Sequence, residues 1–266
     1  MRKAVSGAAV LALTLTVLLI VAPAEAAVRY TVSVAASASR ADVGQSVVLR
    51  GGVSPNAKGQ RVLVQRRVGV SWVTVARPVL SRKSRYAASV RIATGGTNLF
   101  RVLKTRSNGH LAGVSKAVAI TGWRWRALHT LPLYQPATNM VVLSSAQFGP
   151  SLYPSTFRPV IRLGSPAGNV GNVTYRLDNK CTVLDAHIGV TVDSVSAGDQ
   201  LVNAGVVTKD GFKQILGRWI TVNEDPAHVV RSGTVITQAI ALNFEGAVQS
   251  ANTFVGIGAA KVYCAS

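Results

Sequence analysis

Two strand-like stretches decide the fold of this chain: Tyr175-Arg176-Leu177-Asp178-Asn179-Lys180-Cys181, which continues through Leu184-Asp185-Ala186-His187-Ile188-Gly189-Val190, and Val255-Gly256-Ile257-Gly258-Ala259-Ala260-Lys261-Val262-Tyr263-Cys264. They hold the only two cysteines. A Cys181–Cys264 disulfide would close a loop of roughly 80 residues and stabilise the fold by about 4 kcal/mol. Two free thiols, or a nucleophilic pair of Cys181 with His187, are the alternatives. A lone pair of cysteines in an exported β-rich chain favours the bond.

Residues 1–26 have the pattern of a secretory signal peptide. Arg2 and Lys3 form a basic start, residues 8–21 are apolar, and residues 24–26 form a small-x-small cleavage site. A membrane anchor is the alternative, but the apolar run is shorter than the roughly 20 residues of a spanning helix. We therefore expect a secreted, extracellular protein, open to cell-wall association, whose mature chain has no transmembrane segment.

Positive charge is concentrated in the first half of the chain. The formal net charge is +19, and residues 27–122 carry 16 Lys and Arg against one acid, Asp42. Such a charge indicates anionic partners, which outside a cell are wall polymers, lipid headgroups and acidic glycans. Nucleic acid is disfavoured, because the basic residues are dispersed and are not interleaved with aromatics. A cationic secreted protein kept soluble by its arginines stays an alternative.

Residues 27–122 consist of short alternating segments such as Arg61–Arg66, separated by small-residue turns. About seven such segments predict a β-sandwich. The region resembles a bacterial immunoglobulin-like domain through the Gly-x-x-Val-x-Leu-x-Gly pattern of residues 44–51, Trp72 with its following valines, and Phe100-Arg101-Val102. The resemblance implies an immunoglobulin-like fold.

Residues 123–266 contain eight or nine further strand-like segments, which suit a jelly roll. Lys209-Asp210-Gly211 predicts a tight hairpin turn between two of them. The region resembles the carbohydrate-binding module type called NPCBM, through these residues: Tyr175-Arg176-Leu177, Ala186-His187-Ile188-Gly189-Val190, Asp210-Gly211 and Ile257–Val262. This resemblance implies a sugar-binding β-sandwich.

No catalytic residue, metal site or cofactor is predicted, and we expect the protein not to be an enzyme. The histidines His110, His129, His187 and His228 lack metal-ligand spacing, and no Gly-x-Ser-x-Gly elbow occurs. Two pairs of loop acids remain as glycosidase or calcium candidates: Asp193 with Asp199, and Glu224 with Asp225. Solvated loop acids are the favoured interpretation. The NPCBM resemblance keeps structural calcium as an option.

Three aromatic residues are candidates for sugar binding, because an aromatic face stacks on a pyranose ring. Tyr153 lies in a loop beside Pro154. Trp219 lies in an alternating strand, where a core position is the favoured interpretation. Trp123 stands at the predicted domain boundary, where packing between the domains is favoured.

The expected architecture is all-β, with two β-sandwich domains after the signal peptide of residues 1–26. The first, residues 27–122, is immunoglobulin-like, and the second, residues 123–266, is jelly-roll-like. The expected function is non-catalytic attachment to an extracellular glycan or an anionic cell-wall polymer. The alternative is a structural or adhesion protein that has lost its sugar site and binds a protein partner.

Overall fold

The computed structural model of the protein describes residues 28–150, 152–194, 199–247 and 251–266. The predicted signal peptide lies outside the described residues. Within these ranges the regular structure is almost entirely antiparallel strand, and the all-β prediction is confirmed. The described helices are the 3₁₀ turn Leu128–Thr130 and α1, Thr234–Thr237. Neither has the length and apolar character needed to span a bilayer.

The strands follow in chain order. The first ten are β1 Thr31–Val32, β2 Ala35–Ala36, β3 Arg40–Asp42, β4 Ser46–Ser54, β5 Leu63–Val68, β6 Ser71–Ala76, β7 Arg85–Arg91, β8 Gly96–Lys104, β9 Gly113–Val114 and β10 Val118–Ala127. The others are β11 Leu133–Thr138, β12 Met140–Leu143, β13 Ala146–Phe148, β14 Ser155–Phe157, β15 Val160–Leu163, β16 Gly171–Arg176, β17 Cys181–Val190, β18 Gln200–Thr208, β19 Gly211–Ile220, β20 Ala227–Ser232, β21 Ala241–Ala247 and β22 Val255–Cys264.

The first core lies between two sheets built from β1 to β10. β4 pairs with β1, β2 and β7, and the facing sheet contains β10, β8, β5 and β6 in that order. Strand β7 alternates strictly, with Tyr86, Ala88 and Val90 buried while its arginines are exposed. This period-2 pattern places apolar side chains on one face of the strand. The alternation of apolar and polar residues therefore accounts for the buried face of β7 and for the arginines on its outer face.

Strand β10 passes from the first core to the second. Residues Val118–Gly122 pair with β8, whereas Arg124–Ala127 pair with the last strand, β22. The predicted boundary near Gly122 falls inside this continuous strand. Buried residues nevertheless form two clusters, one up to Ile120 and another from Leu128 onwards.

The second core lies between two further layers of strands. One layer is the five-stranded sheet β11-β16-β21-β18-β19. The other has the order β12-β15-β22, with β17 on β22 and β20 on β17. Strands β18 and β19 form the predicted hairpin, in which Thr208 pairs with Gly211. Gly211 has φ +110°, a left-handed conformation that favours glycine.

The disulfide Cys181–Cys264 is confirmed. It joins the first residue of β17 to the last residue of β22, and the two strands are paired antiparallel at that point. Both cysteines are buried. The bond therefore fixes the end of the chain to the sheet that contains the long stretch 181–190.

The short hairpin of β13 and β14 covers part of the outer face of β17 and β22. Phe148 and Phe157 meet edge to face, with ring centroids 5.3 Å apart. A side chain at Gly256 would collide with the ring of Phe148, and one at Gly258 would collide with Phe157. These glycines therefore make room for the aromatic rings of the hairpin.

Candidate functional site

The outer face of the five-stranded sheet is lined mainly by amide and hydroxyl side chains. Alternate residues of its strands, such as Val173, Val206 and Phe244, are buried in the second core. Their neighbours along each strand point the other way. We call this outer surface the amide face. Its polar members are Gln135, Asn172, Thr174, Asn203, Gln214, Asn243 and Glu245.

The strand register brings these side chains together from distant parts of the chain. Asn243 of β21 lies opposite Thr174 of β16, and Glu245 lies opposite both Asn172 and Asn203. Directly paired residues on one sheet face have their Cβ atoms about 5 Å apart. The amide face is therefore a compact polar surface.

Hydrogen bonds hold some side chains of the amide face in place. Thr174 Oγ1 accepts from Asn243 Nδ2 at 2.9 Å and from Gln135 Nε2 at 3.2 Å. Gln214 Nε2 donates to Asn203 Oδ1 at 3.1 Å. An Asn or Gln side chain has two donor hydrogens and an acceptor oxygen, so each amide keeps capacity for a further partner.

Two aromatic rings flank the polar side chains of the amide face. Tyr134 of β11 is 42% exposed, and Phe212 of β19 is 57% exposed. A Cβ at Gly205 of β18 would collide with the ring of Phe212, so that ring covers the backbone of Gly205. The guanidinium of Arg176 lies 5.7 Å from the centre of the Tyr134 ring. Together with the amides, the two rings line a concave pocket of about 370 Å³.

Trp219, predicted from the sequence as a sugar-binding candidate, lies on this same face. It pairs with Leu201 of β18, while Phe212 pairs with Val207. Leu201 and Val207 are six residues apart and share a face, which places Trp219 about 20 Å along the strand from Phe212. Trp219 is 47% exposed, so its interpretation as a core residue is wrong. Its strand, β19, is the edge strand of the five-stranded sheet, and Trp219 lies on the face that points away from the second core.

The other two predicted residues lie elsewhere. Tyr153 is 80% exposed in the turn of the β13–β14 hairpin. Trp123 of β10 stacks on Tyr263 of β22, with ring centroids 5.5 Å apart, and Trp125 tilts against the same ring. The structure thus brings neither Tyr153 nor Trp123 to the amide face, and all three residues stay untested predictions as sugar contacts.

Trp123 and Tyr263 line a second pocket of about 450 Å³, together with Arg40, Asp42 and Thr182. The Tyr263 hydroxyl donates a hydrogen bond to Asp42 Oδ1. Burial raises the pKa of Tyr263 to about 12, and the carboxylate of Asp42 contributes to this rise. The pocket lies where β10 joins the two cores. Two of its polar groups, Asp42 Oδ1 and the Tyr263 hydroxyl, are bonded to each other.

Two of the four predicted loop acids, Asp193 and Glu224, form ion pairs with arginines. Asp193 Oδ2 lies 3.0 Å from the Arg162 guanidinium, and Glu224 Oε2 lies 2.8 Å from that of Arg218. Each carboxylate is thus compensated by a cation within the fold. These ion pairs favour a structural role for the two acids.

A third group of side chains combines two histidines and a carboxylate. On β17 and β20, one ligand-type atom of each of Asp185, His187 and His228 lies within 4.8 Å of the others. His228 Nε2 donates to Asp185 Oδ1 at 2.9 Å, and Lys261 Nζ lies 3.3 Å from Asp185 Oδ2. We call Asp185, His187 and His228 the histidine cluster.

The electrostatics of the cluster follow from its packing. Burial lowers the pKa of His187, and the nearby His228 lowers it further. Burial also acts to raise the pKa of Asp185, but hydrogen bonds from His228 and Lys261 outweigh it, so this pKa lies below its usual value. Both effects favour neutral His187 beside an ionised Asp185.

Sequence reasoning missed both the amide face and the histidine cluster. Asp185-Ala186-His187 carried a usable signal, because residues i and i+2 of a strand share a face. His228 joins them only through the pairing of His187 with His228 between β17 and β20. The amide face depends in the same way on the order of non-consecutive strands.

Comparisons with known proteins find only weak structural likenesses. No family model matches the chain, and no curated protein matches it. Similar solved structures include the enzymatically active domain of tailspike protein 4 of bacteriophage CBA120, at 15% identity and TM-score 0.28 over 53% of this chain and 19% of that one. The CBM22-1 xylan-binding domain of Paenibacillus barcinonensis Xyn10C has 12% identity and TM-score 0.30, over 55% of this chain and 86% of that one.

A tetra-tandem repeat from the extending region of a large adhesion protein has 13% identity and TM-score 0.31, over 88% of this chain and 74% of that one. The chain spans about a fifth of the length of the tailspike domain. Likenesses at these TM-scores carry no argument about function. The resemblances to immunoglobulin-like and NPCBM domains therefore stay predictions.

Proposed function

We propose that this protein is a secreted, non-catalytic glycan-binding protein whose amide face is the binding surface. The observation that carries the proposal is the combination of exposed aromatic rings with partly satisfied amides on one sheet face. A pyranose presents apolar C–H faces and a rim of hydroxyls, which both donate and accept hydrogen bonds. Phe212 and Tyr134 suit the C–H faces, and the amides suit the hydroxyls.

The shape of the surface suits a chain of sugars more than a single one. The pocket between Tyr134 and Phe212 is concave, and Trp219 extends the face by about 20 Å along β19. Ligand sites are commonly concave, with aromatic walls and a few convergent polar groups. A linear polysaccharide lying along β18 and β19 would contact both ends of this surface.

The charge of the face favours a ligand with little negative charge. Glu245 is the one acidic member of the amide face, and in the described part of the chain it forms no ion pair. Arg176, which shares this face of β16 with Asn172 and Thr174, balances the carboxylate, so the face offers a polyanion no excess of positive charge. We therefore assign the amide face to a neutral or weakly charged glycan.

The first half of the chain supports a second candidate function, the binding of an anionic wall polymer. Among residues 28–122 as described, no basic side chain is paired with an acid. Unpaired surface arginines attract polyanions, and the attraction is screened by salt. Salt dependence therefore separates this function from the first.

The test is binding of the mature chain to soluble xylan, β-glucan and galactomannan, and to purified peptidoglycan and teichoic acid, at 50 mM and 500 mM NaCl. Phe212→Ala is the test variant, and Tyr153→Ala is the matched control, because it also removes an exposed aromatic ring. We expect salt-resistant binding of a neutral polysaccharide that Phe212→Ala weakens roughly tenfold or more, while Tyr153→Ala leaves it unchanged.

Two results would overturn the proposal. Binding that Tyr153→Ala abolishes and Phe212→Ala spares would move the site to the β13–β14 hairpin. Binding restricted to teichoic acid and lost at 500 mM NaCl would assign the function to the arginines of the first half of the chain.

A further inference from the structure

The histidine cluster lies on the opposite side of the second sandwich from the amide face. We propose that Asp185, His187 and His228 form a binding site for a divalent transition-metal ion, with Zn²⁺ as the best match. The proposal is independent of glycan binding, because it rests on a different sheet and on different side chains.

The fold places the three side chains on one rigid surface. Asp185 and His187 are two residues apart on β17, so both point to the outer face of the sheet. His228 stands directly opposite His187 on the antiparallel neighbour β20. β17 begins at the disulfide, and it is paired with β22 along its length and with β20 from Val183 to Ile188. The backbone of the site is therefore fixed before a ligand binds.

The donor set selects the class of ion. Two imidazole nitrogens and one carboxylate oxygen are ligands that Zn²⁺ and Cu²⁺ accept. Calcium takes six to eight oxygen ligands, which this cluster does not supply. Three protein ligands on an accessible surface leave a fourth tetrahedral position for water or an external donor.

An unsatisfied atom supports the assignment. His187 Nδ1 is buried and has no hydrogen-bond partner within the described chain. The His187 ring is held between Phe157, at a centroid distance of 4.5 Å, and His228, at 4.3 Å. In the tautomer with the proton on Nε2, the lone pair of Nδ1 has no donor. A metal ion would supply the electron-pair acceptor that the protein does not.

Three adjustments accompany metal binding, and the first is that His228 gives up the hydrogen bond that its Nε2 donates to Asp185 Oδ1. The rings of His187 and His228 are parallel to within 1°, whereas imidazole lone pairs lie in the ring planes, so one ring must tilt toward the ion. His228 is the ring that can tilt, because its side chain is 54% exposed. Lys261 must also release Asp185, and as an exposed ammonium it can turn to solvent.

The first experiment is calorimetric titration of the untagged mature chain with Zn²⁺ at pH 7.5. We expect one ion per chain and a loss of affinity of at least tenfold in His228→Ala. His129→Ala is the control, since it removes a histidine outside the cluster. No binding by the wild type at 1 mM Zn²⁺, or equal weakening by the two variants, would overturn the proposal.

The second experiment uses Lys261→Gln, which removes the cation that competes for Asp185. We expect this variant to bind Zn²⁺ severalfold more tightly than the wild type. An unchanged affinity would remove Asp185 from the site and overturn the three-ligand assignment. Electron paramagnetic resonance of bound Cu²⁺ gives a readout independent of affinity: the proposal expects coupling to two imidazole nitrogens in the wild type and to one in His228→Ala. Coupling that is identical in the two proteins would contradict it.

Discussion

The two outer faces of the second sandwich are built on the same alternating strand pattern, but they carry different types of side chain. The amide face is open and concave, and it carries mainly amide and hydroxyl groups beside Tyr134 and Phe212. The opposite face is partly covered by the β13–β14 hairpin and concentrates titratable groups around His187. Inward-facing residues fix the sandwich on both sheets, so outward-facing residues are free to differ. Function on this scaffold is therefore decided by the side chains that the core does not use.

Glycines on the two sheets make room for phenylalanine rings that differ in their exposure to solvent. On the amide face, Gly205 admits the ring of Phe212, which comes from the neighbouring strand and stays exposed. On the opposite face, Gly256 and Gly258 admit Phe148 and Phe157 from a separate hairpin. Phe148 is completely buried there. On both sheets a glycine therefore makes room for a phenylalanine ring, but the ring of Phe212 stays exposed whereas that of Phe148 is buried.

Loss of the disulfide, which lies in the sheet of the histidine cluster, is expected to give the largest effect. Cys181→Ser combined with Cys264→Ser should lower the free energy of unfolding by about 4 kcal/mol, because the 83-residue loop is no longer closed. Urea unfolding measures the loss. Dithiothreitol should destabilise the wild type and leave the double variant unchanged; an equal response of the two proteins would contradict this account.

Truncation of one phenylalanine on each face should separate stability from binding. Phe148→Ala should cost about 3 kcal/mol of unfolding free energy, because it empties a buried site, and should spare polysaccharide affinity. Phe212→Ala should change stability by less than about 1 kcal/mol and lower the affinity. Urea unfolding and calorimetric titration of the same two variants make the comparison. It fails if Phe148→Ala weakens binding in the folded state.

A side chain at Gly205 should displace the ring of Phe212 from the amide face without replacing Phe212 itself. Gly205→Val forces the ring of Phe212 away, and such overpacking costs about 1–3 kcal/mol. We expect loss of polysaccharide binding comparable to that of Phe212→Ala, with zinc affinity unchanged. Gly211→Val is not a suitable control, because Gly211 has a left-handed φ. Gly256→Val, which crowds the ring of Phe148 on the opposite face, tests whether overpacking alone disturbs binding; retained polysaccharide affinity is expected there.

Acidification should give the smallest effect, confined to the histidine side. The pKa of His187 is lowered in the folded chain, so the unfolded chain binds the proton first. Its contribution to stability is complete above about pH 6.5 and is lost as the pH falls below that value. Urea midpoints at pH 7.5 and 5.5 should therefore differ more for the wild type than for His187→Gln. His129→Gln is the control and should keep the wild-type difference; polysaccharide affinity should not change over this range.

Local patterns predicted most of the fold. Alternation of apolar and polar residues predicted β7, Asp210-Gly211 predicted the β18–β19 hairpin, and the two cysteines predicted the disulfide. Trp219 was misplaced in the core, because alternation shows which residues share a face and does not show that its strand lies at an edge. Edge position depends on strand order, which short-range patterns do not encode.

The functional surfaces depend on the same non-local information. Asn172, Asn203 and Asn243 are far apart in the sequence and meet only because β16, β21 and β18 are neighbours. The histidine cluster needs β20 to lie beside β17. The spacing of Asp185 and His187 on one strand was a usable signal for two of its three residues, and the pairing of the sheet supplies His228.

Nuclear magnetic resonance of the ¹⁵N-labelled mature chain, titrated with the soluble polysaccharide that binds it in the salt-resistant screen, tests the central claim most directly. The side-chain amide signals of Asn172, Asn203, Gln214 and Asn243 report on the amide face, and the backbone signals of Tyr153 and His228 report on the opposite side. We predict that the four amide signals shift together in proportion to bound ligand, while the signals of Tyr153 and His228 stay in place. Shifts at the β13–β14 hairpin or among residues 28–122, with the four amides unchanged, would contradict the account.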